Sequence, residues 1–393
     1  MIAVTERKAR LWPLFVGGFL GPFGSPVVTT MLPEMQADLG RSIVELSLTL
    51  PAYLFPFAAL MLISGTLAER FGRRNTVRMG YLVFTLASIA CALAPSYEIL
   101  MLARVLQGAA NAFTTPVLVA AITDSVAPHR LGRSLGLFGS MQATGQAMAP
   151  LIGGLAASVD WRLAFWGTAL VAAILAVLPP ENSPHKAVGG WERWKVLANR
   201  QLAIASITAA LAFLTTMAMA VVAALYVRDI FELGPTTTGL IVAIFGFAGL
   251  ATGRFTGGLM DKYGRLEVGG ITHLMLGVFA AVTGIVGTLA LPSPFPLILV
   301  IIAIAIAGAA ATGTRTVVQN LAVTSAPSNR SGATSIMLAC QFAGAALSPV
   351  LFVPLYEAQQ VPGGGIALIA AGTTAFAAGL LLLVVRKLGW VKA

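Results

Sequence analysis

Two arginines stand inside long apolar stretches of the chain, where a positive charge is costly and is a candidate for function. Arg104 shares a helical face with Gln107 and Asn111, three and seven residues later. Arg315 shares its face with Thr312 and Gln319. A guanidinium in such a polar stripe can bind an anionic or polar group of a ligand or of another helix. We therefore expect both stripes to border a central cavity.

Each of these candidates also has a structural interpretation. Arg104 lies near one end of its apolar run, so it can reach outward to water or toward Glu34. Arg315 can instead donate hydrogen bonds between helices. Neutral and apolar side chains near the middle of other runs are further candidates for substrate contacts, although each could simply be packed in the protein or against lipid. They are Gln142, Gln146, Gln341, Met217, Phe245 and Phe342.

The composition is that of a protein that crosses a membrane many times. Of the 393 residues 57% are hydrophobic and only 10% are charged, whereas a soluble domain needs about 25% charged residues. The net charge is +10, but no basic stripe with interleaved aromatic residues indicates nucleic acid binding. No phosphate-binding loop, metalloprotease motif or nucleophile motif is present. We therefore expect no enzyme activity, no cofactor and no metal.

The elements that position these residues are apolar runs, each about the 20 residues that a membrane-spanning helix needs. Twelve runs are separated by charged or Pro/Gly-rich breaks. We number them spans 1 to 12, and they cover about 11–32, 44–66, 76–95, 99–122, 134–157, 162–179, 201–225, 237–256, 269–290, 296–321, 332–355 and 365–386.

The runs fall into two copies of a six-span unit. The stretch Gly65–Arg74, GTLAERFGRR, returns 192 residues later as Gly257–Leu266, GGLMDKYGRL. Span 5 and span 11 also share a Gln, Gly and Pro pattern. Such a repeat is typical of transporters built from two related halves. We expect one bundle over 1–179, a cytoplasmic linker over 180–200 and a second bundle over 201–393.

The distribution of Lys and Arg predicts the orientation. If the N-terminus is cytoplasmic, 20 of the 25 basic residues lie in cytoplasmic segments and three lie outside. The excess of positive charge on one side places both termini in the cytoplasm. Short loops favour a bacterial inner membrane, and we expect a monomer in the lipid bilayer.

The repeated loop also suggests a latch across its face of the membrane. Gly65 and Gly72 permit close approach or a positive φ where span 2 ends. Glu69 could then meet the N-terminus of span 11, where the helix dipole favours an anion, and Asp261 could do the same at span 5. Asp124 could pair with a loop arginine. The alternative is a basic loop that only fixes topology. The latch residues are Gly65, Glu69, Gly72, Arg73, Asp261 and Arg265.

Three stretches resemble one known family. GTLAERFGRR resembles the loop between spans 2 and 3 of the major facilitator superfamily, and Arg104–Gly108 resembles that family's span-4 pattern R-x-x-Q-G. In span 5, the spacing of Gly136, Gly145, Ala149-Pro150 and Gly153-Gly154 resembles the antiporter signature of the twelve-span drug:proton antiporter subfamily, with Ala149 where Gly is usual.

The resemblance implies an all-α membrane protein with twelve helices in two pseudo-symmetric six-helix bundles. It implies an antiporter that exports small amphiphilic molecules by alternating access, with protons as co-substrate and the proton gradient as energy source. The antiporter helix residues are Gly145, Pro150, Gly153 and Gly154. The alternatives are a proton-coupled importer of a sugar or organic acid and, less favoured, a non-transporting lipid-handling membrane protein.

The same resemblance implies that Arg104 influences proton transfer. No acidic residue lies near the middle of a predicted span, so Glu34 and Asp124 are the candidates for carrying the proton. A lipophilic cation would seek a buried anion. Two buried arginines without one favour neutral, zwitterionic or anionic cargo.

Overall fold

A computed structural model describes residues 11–126, 128–180, 197–287, 294–359 and 361–391, which are almost entirely helical. In the first half, span 1 comprises Trp12–Phe23, a 3₁₀ turn at Pro26–Thr30 and Leu32–Leu39; span 2 comprises Ile43–Ser47 and Thr49–Phe71; span 3 is Arg73–Ala92; span 4 comprises Tyr97–Asn111 and Thr115–Ser125; spans 5 and 6 are Pro128–Ala157 and Arg162–Val177. In the second half, spans 7 to 12 are Arg200–Ile230, Pro235–Tyr263, Arg265–Val286, Phe295–Ser325, Arg330–Gln359 and Val361–Lys387, with a 3₁₀ turn at Pro327–Asn329.

Within the described residues, eight helices are long and apolar enough to cross a bilayer by length and composition, namely spans 2, 4 and 7 to 12. Shorter apolar helices form span 6 and the first part of span 1. Spans 3 and 5 are helical as well, although their first turns carry the charged residues of the adjoining loops. The all-helical membrane fold is therefore confirmed. Most of the predicted linker lies outside the described residues.

Two spans, each predicted as one membrane crossing, consist of broken helices. Span 1 is interrupted at Gly24 and Ser25, directly before Pro26. Span 4 is interrupted over Ala112–Thr114, directly before Thr115 and Pro116. Proline has no backbone N–H to donate to the preceding turn, so the helical ladder fails at both places. Carbonyl groups at the break in span 1 become available to side chains.

The two halves repeat the same close helix contacts. A Cβ built at Gly108 of span 4 would lie 1.9 Å from the carbonyl oxygen of Tyr53 in span 2, and one at Gly308 of span 10 would lie 1.9 Å from that of Phe245 in span 8. Gly145 of span 5 and Gly344 of span 11 pack in the same way on spans 1 and 7. Only glycine allows these backbones to approach so closely. The duplication inferred from the loops therefore extends to the packing.

The loops of the repeat mark one end of the molecule, which we call the basic end. Gly72 and Gly264 link spans 2 to 3 and 8 to 9 with φ of 85° and 86°. A side chain is strained at such angles, so the prediction of a positive φ at Gly72 is confirmed. The opposite end carries Glu34, Asp38, Glu45, Glu98, Asp160, Asp229, Glu232 and Glu357, and we call it the acidic end.

Two helix pairs that join the halves lie in the part of the molecule nearer the acidic end. Spans 5 and 8 touch backbone to backbone, since a Cβ at Gly154 would lie 2.4 Å from the carbonyl oxygen of Pro235. Spans 2 and 11 touch through the rings of Phe57 and Phe342, with centroids 4.7 Å apart. Toward the basic end, a Cβ at Gly65 would meet no described atom within 4 Å. The halves therefore close the acidic end and diverge at the basic end.

Candidate functional site

Arg104 is fully buried and held by groups of the protein itself. Its Nε donates to the carbonyl oxygen of Thr49 at 3.2 Å, and Nη1 donates to that of Gly24 at 2.8 Å and to Oε1 of Gln107 at 2.6 Å. Its guanidinium lies 4.5 Å from the centroid of the Tyr53 ring. Arg104 therefore ties span 4 to spans 1 and 2, and among the described residues it contacts no carboxylate.

The rest of the polar stripe on span 4 is also used internally. Gln107 donates from Nε2 to the hydroxyl of Ser88 on span 3 at 2.8 Å. Asn111 accepts from the hydroxyl of Thr114 and approaches the carbonyl oxygen of Gly21 through Nδ2, at 3.5 Å. Both side chains are at most 2% exposed. In this conformation neither presents a free polar group to a cavity, because both complete the network around Arg104.

Arg315 has different surroundings. It is partly exposed, and its guanidinium lies 5.1 Å from the centroid of the Phe213 ring on span 7. No hydrogen-bond acceptor or carboxylate among the described residues pairs with it. A cation that contacts only an aromatic ring retains its donors for a ligand. Of the two arginines singled out in the sequence, Arg315 is the one that can still bind something.

An aromatic chain connects Arg315 to the other half of the protein. The Phe213 ring lies 6.4 Å from that of Phe342 on span 11, with the planes at 72°. The Phe342 ring in turn packs against Phe57 of span 2 at 65°. These edge-to-face contacts join spans 7, 11 and 2 at the place where the halves meet. Arg315 therefore stands beside the wall that separates the basic-end opening from the acidic end.

The other predicted substrate contacts are scattered around this wall. Gln341, which precedes Phe342, is completely buried, and neither its Nε2 nor its Oε1 has a hydrogen-bond partner. Thr312 packs against span 8, since a Cβ at Gly249 would lie 2.2 Å from its hydroxyl oxygen. Met217 is 7% exposed. The predicted contacts that are partly exposed, in addition to Arg315 and Phe342, are Gln142, Gln146, Phe245, Thr312 and Gln319.

The antiporter helix residues lie where span 5 contacts its neighbours. A Cβ at Gly145 would lie 2.2 Å from the carbonyl oxygen of Phe19, and one at Gly153 would lie 2.2 Å from that of Val27. The carbonyl oxygen of Pro150 accepts from the hydroxyl of Thr30 at 2.9 Å. Gly154 faces the other way, toward span 8. Span 5 therefore packs on span 1 through one face and on the opposite half through the other.

The predicted latch is not formed between the described groups. Asp261 is exposed, and no hydrogen bond or ion pair joins it to another described residue. Arg73 donates to the carbonyl oxygen of Ala120 at 3.5 Å, and Arg265 donates to the hydroxyl of Thr324 at 2.6 Å. The backbone N–H of Gly332 at the start of span 11 is taken by Asn329 Oδ1 at 3.1 Å. The side chains of Glu69 and Asp124 lie outside the described residues.

At the acidic end one ion pair bridges the two halves. Nη2 of Arg228 on span 7 lies 2.7 Å from Oε1 of Glu34 in span 1. Both side chains are largely buried, at 23% and 20% exposed, and Glu34 Oε2 and Arg228 Nη1 have no other partner. A cleft of about 640 Å³ beside the pair is lined by Gln36, Ile43, Arg228, Asp229, Glu232, Leu233, Tyr356 and Glu357. The bond between Glu34 and Arg228 therefore helps to close this end.

Three residues of this arrangement were missed from the sequence: Phe57, Phe213 and Arg228. No spacing singles out the two phenylalanines among 20 in the chain. Arg228 offered a usable signal, because it is one of only three basic residues predicted on the outer side. A basic residue that departs from the charge bias can be retained for a specific contact.

Comparison with known proteins agrees with this architecture. Residues 14–349 match the sequence profile of the Major Facilitator Superfamily. The chain is 34% identical over 185 residues to the uncharacterized MFS-type transporter Rv1250 of Mycobacterium tuberculosis, covering 45% of this chain and 32% of the relative. It is 38% identical over 174 residues to the puromycin resistance protein pur8 of Streptomyces alboniger, covering 43% and 34%. The chain thus spans about a third of the length of these curated relatives.

Solved structures with little sequence identity share the fold. A peptide transporter superposes with a TM-score of 0.77 at 16% identity, over 96% of this chain and 94% of that one. A D-xylose–proton symporter superposes with a TM-score of 0.75 at 16% identity, over 95% and 96%. These matches cover nearly the whole of each chain.

Proposed function

Because the chain belongs to the Major Facilitator Superfamily and is a transporter rather than an enzyme, we propose that it exports small amphiphilic molecules in exchange for protons. The observation that carries this proposal is the unequal contact between the halves, which touch near the acidic end and diverge at the basic end. A transporter that alternates between two faces must pass through such a state. With the basic end in the cytoplasm of a bacterium, this is the state that receives cargo from inside.

The units that move are the two predicted bundles, 1–179 and 201–393, joined by the linker 180–200. Span 5 is suited to lie at the pivot, since one face packs tightly on span 1 and the other meets span 8 closely from Ala147 to Gly154. The basic-end latch, with Glu69 at its centre, would form when the halves swing together there. A single chain contains all of these parts, so a monomer suffices.

Glu34 is the proposed proton carrier. Its carboxylate holds Arg228 of the opposite half, so protonation removes the charge that keeps the acidic end closed. The titratable groups that line the adjoining cleft are Asp229, Glu232, Tyr356 and Glu357, with Tyr356 donating to Asp229. Arg104 is assigned to the fold instead, because it is completely buried and its Nε and Nη1 donate to carbonyl groups and Gln107, while Nη2 has no partner among the described residues.

Export by exchange can be tested in proteoliposomes of known orientation that contain a pH-sensitive dye. A panel of amphiphiles that includes puromycin is supplied at the basic end, with acid at the acidic end. We expect proton entry that depends on added substrate and runs opposite to it. Movement of both in the same direction would identify an importer instead, and proton flux that is independent of every substrate would contradict the proposal.

Glu34→Gln separates the coupling from the transport itself. The variant keeps a similar shape but cannot exchange a proton, so we expect substrate exchange to persist while dependence on the pH gradient is lost. The matched control is Asp38→Asn, which removes an ion pair with Arg162 within the same half and should leave the coupling unchanged. If substrate transport by Glu34→Gln still depended on the pH gradient, a residue other than Glu34 would carry the proton.

A further inference from the structure

One positive charge stands beside the wall between the halves without a counter-charge. Arg315 contacts Phe213, Phe213 contacts Phe342, and Phe342 contacts Phe57 of the other half. The described acidic residues lie at the two ends of the spans. They are Glu34, Asp38, Glu45, Glu98, Asp160, Asp229, Glu232 and Glu357 at one end and Asp261 and Glu267 at the other. A partly buried cation that has no carboxylate partner among the described side chains is stabilised when an anion binds beside it.

The surroundings of this charge favour a flat, apolar ligand. The two edge-to-face contacts, at 65° and 72°, set the ring planes at steep angles to one another, and Phe342 is the partly exposed ring of the three. An aromatic ring placed against Phe342 can make a further edge-to-face or stacked contact. Gln341, next to Phe342, has an amide without partners in this conformation. A side chain of that kind can gain hydrogen bonds when a ligand enters or the helices shift.

We propose that the partly exposed guanidinium of Arg315 binds anionic aromatic molecules, one or more fused rings that carry a carboxylate or a comparable acid. The acid forms charge-assisted hydrogen bonds with the guanidinium, and the rings contact Phe213 and Phe342. This inference names the substrate class of the proposed exporter and therefore rests on that function for its biological meaning. Arg104 does not compete for the acid, because it is completely buried and its Nε and Nη1 donate to the protein, which leaves only Nη2 without a partner among the described residues.

The test compares aromatic acids with uncharged and cationic analogues of the same shape. Benzoate, 2-naphthoate and 2-anthracenecarboxylate are each paired with the amide and with the methylamine, and their affinities for the purified full chain are measured by thermal unfolding and calorimetry. For at least one ring system we expect the acid to bind about tenfold or more tightly than its amide. Equal binding of acid and amide throughout, preference for the amines, or no binding by any acid would overturn the proposal.

Variants of Arg315 locate the effect. Arg315→Gln should reduce the ratio of acid to amide affinity to about one, whereas Arg315→Lys keeps the charge and should retain part of the preference. The matched control is Arg78→Gln, which removes an exposed charge of span 3 and should leave the ratio unchanged. An acid preference that persists in Arg315→Gln would overturn the proposal. If Arg315→Gln does not fold, the ratio of acid to amide affinity measured for Arg315→Lys still tests the proposal.

The same preparations distinguish this inference from the proposed function. If an aromatic acid binds through Arg315 but drives no opposing proton movement in proteoliposomes, the substrate class stands and proton exchange fails. If a cation or neutral compound drives proton exchange that is unaffected by Arg315→Gln, the function stands and the substrate class fails.

Discussion

Arg104 and Arg315 lie on equivalent spans of the two halves, yet they have opposite relations to their surroundings. Arg104 is completely buried and donates to two carbonyl groups and one amide. Arg315 is partly exposed and contacts only an aromatic ring. A charge inside a membrane protein is costly in either place unless its partners offset the loss of hydration. The comparison teaches that an arginine whose acceptors belong to the fold stabilises it, whereas one without acceptors is available to a ligand.

The reason for the difference lies in the broken helix of span 1. Val28 donates its backbone N–H to Ser25 rather than continuing an α-helical ladder, which leaves the Gly24 carbonyl to accept from Arg104. Span 7, the equivalent of span 1, is unbroken from Arg200 to Ile230. Its backbone groups are paired within the helix, so it offers only the Phe213 ring to Arg315.

The largest expected effect is on stability and comes from Arg104→Ala. The substitution removes three hydrogen bonds and deprives the buried Gly24 carbonyl and Gln107 Oε1 of their donor, so we expect a loss of roughly 3 kcal/mol or more of unfolding free energy. Thermal and denaturant unfolding in detergent measure it. Arg78→Ala, at an exposed site, is the control. A loss below about 1 kcal/mol would mean that Arg104 does not act as a structural cross-link.

A smaller effect is expected when Arg104 is kept and one of its acceptors is removed. Gln107→Leu deletes the bonds to Arg104 and to Ser88 and should cost about 1–2 kcal/mol of unfolding free energy. Gln319→Leu, on the partly exposed stripe of span 10, is the matched control and should change stability by less than about 0.5 kcal/mol. Equal losses of unfolding free energy in the two variants would mean that the polar stripes of spans 4 and 10 contribute equally to stability.

The smallest effect concerns the ring beside each arginine. Phe213→Leu removes the cation–π contact with Arg315 and should weaken binding of an aromatic acid by about 0.5–1 kcal/mol, a factor of about two to five. Phe165→Leu alters the ring 5.9 Å from Arg104 and should lower stability while leaving affinity unchanged. Calorimetry on both variants separates these results. If only Phe165→Leu changed the affinity for the aromatic acid, the ligand would bind beside Arg104 rather than beside Arg315.

Much of the fold followed from sequence because its signals are local. Length and apolar character mark spans, the repeated loops mark the duplication, and a glycine between charged turns marks the positive φ at Gly72. The breaks in spans 1 and 4 have a local signal too, because Pro26 and Pro116 stand directly beside them. The glycines of span 5 were recognised from spacing, but which helices they contact required the tertiary structure.

The candidate site was only partly predictable because its contacts join distant parts of the chain. Arg104 and Arg315 were identified as unusual charges, but the sequence did not show that Thr49 and Gly24 supply acceptors for one of them. Phe57 and Phe342 likewise meet across the two halves. Such contacts are fixed by helix packing, on which hydrophobic periodicity carries no information.

The most direct test of the contrast between the two arginines is the position of a bound aromatic acid. Crystals of the full chain soaked with 6-bromo-2-naphthoate would give an anomalous bromine peak that locates the ring, and the surrounding map would locate the carboxylate. We predict the ring beside Phe213 and Phe342 with the carboxylate on Arg315, and no peak in crystals of Arg315→Gln. A carboxylate bound to Arg104, or a peak confined to the acidic-end cleft, would contradict the account.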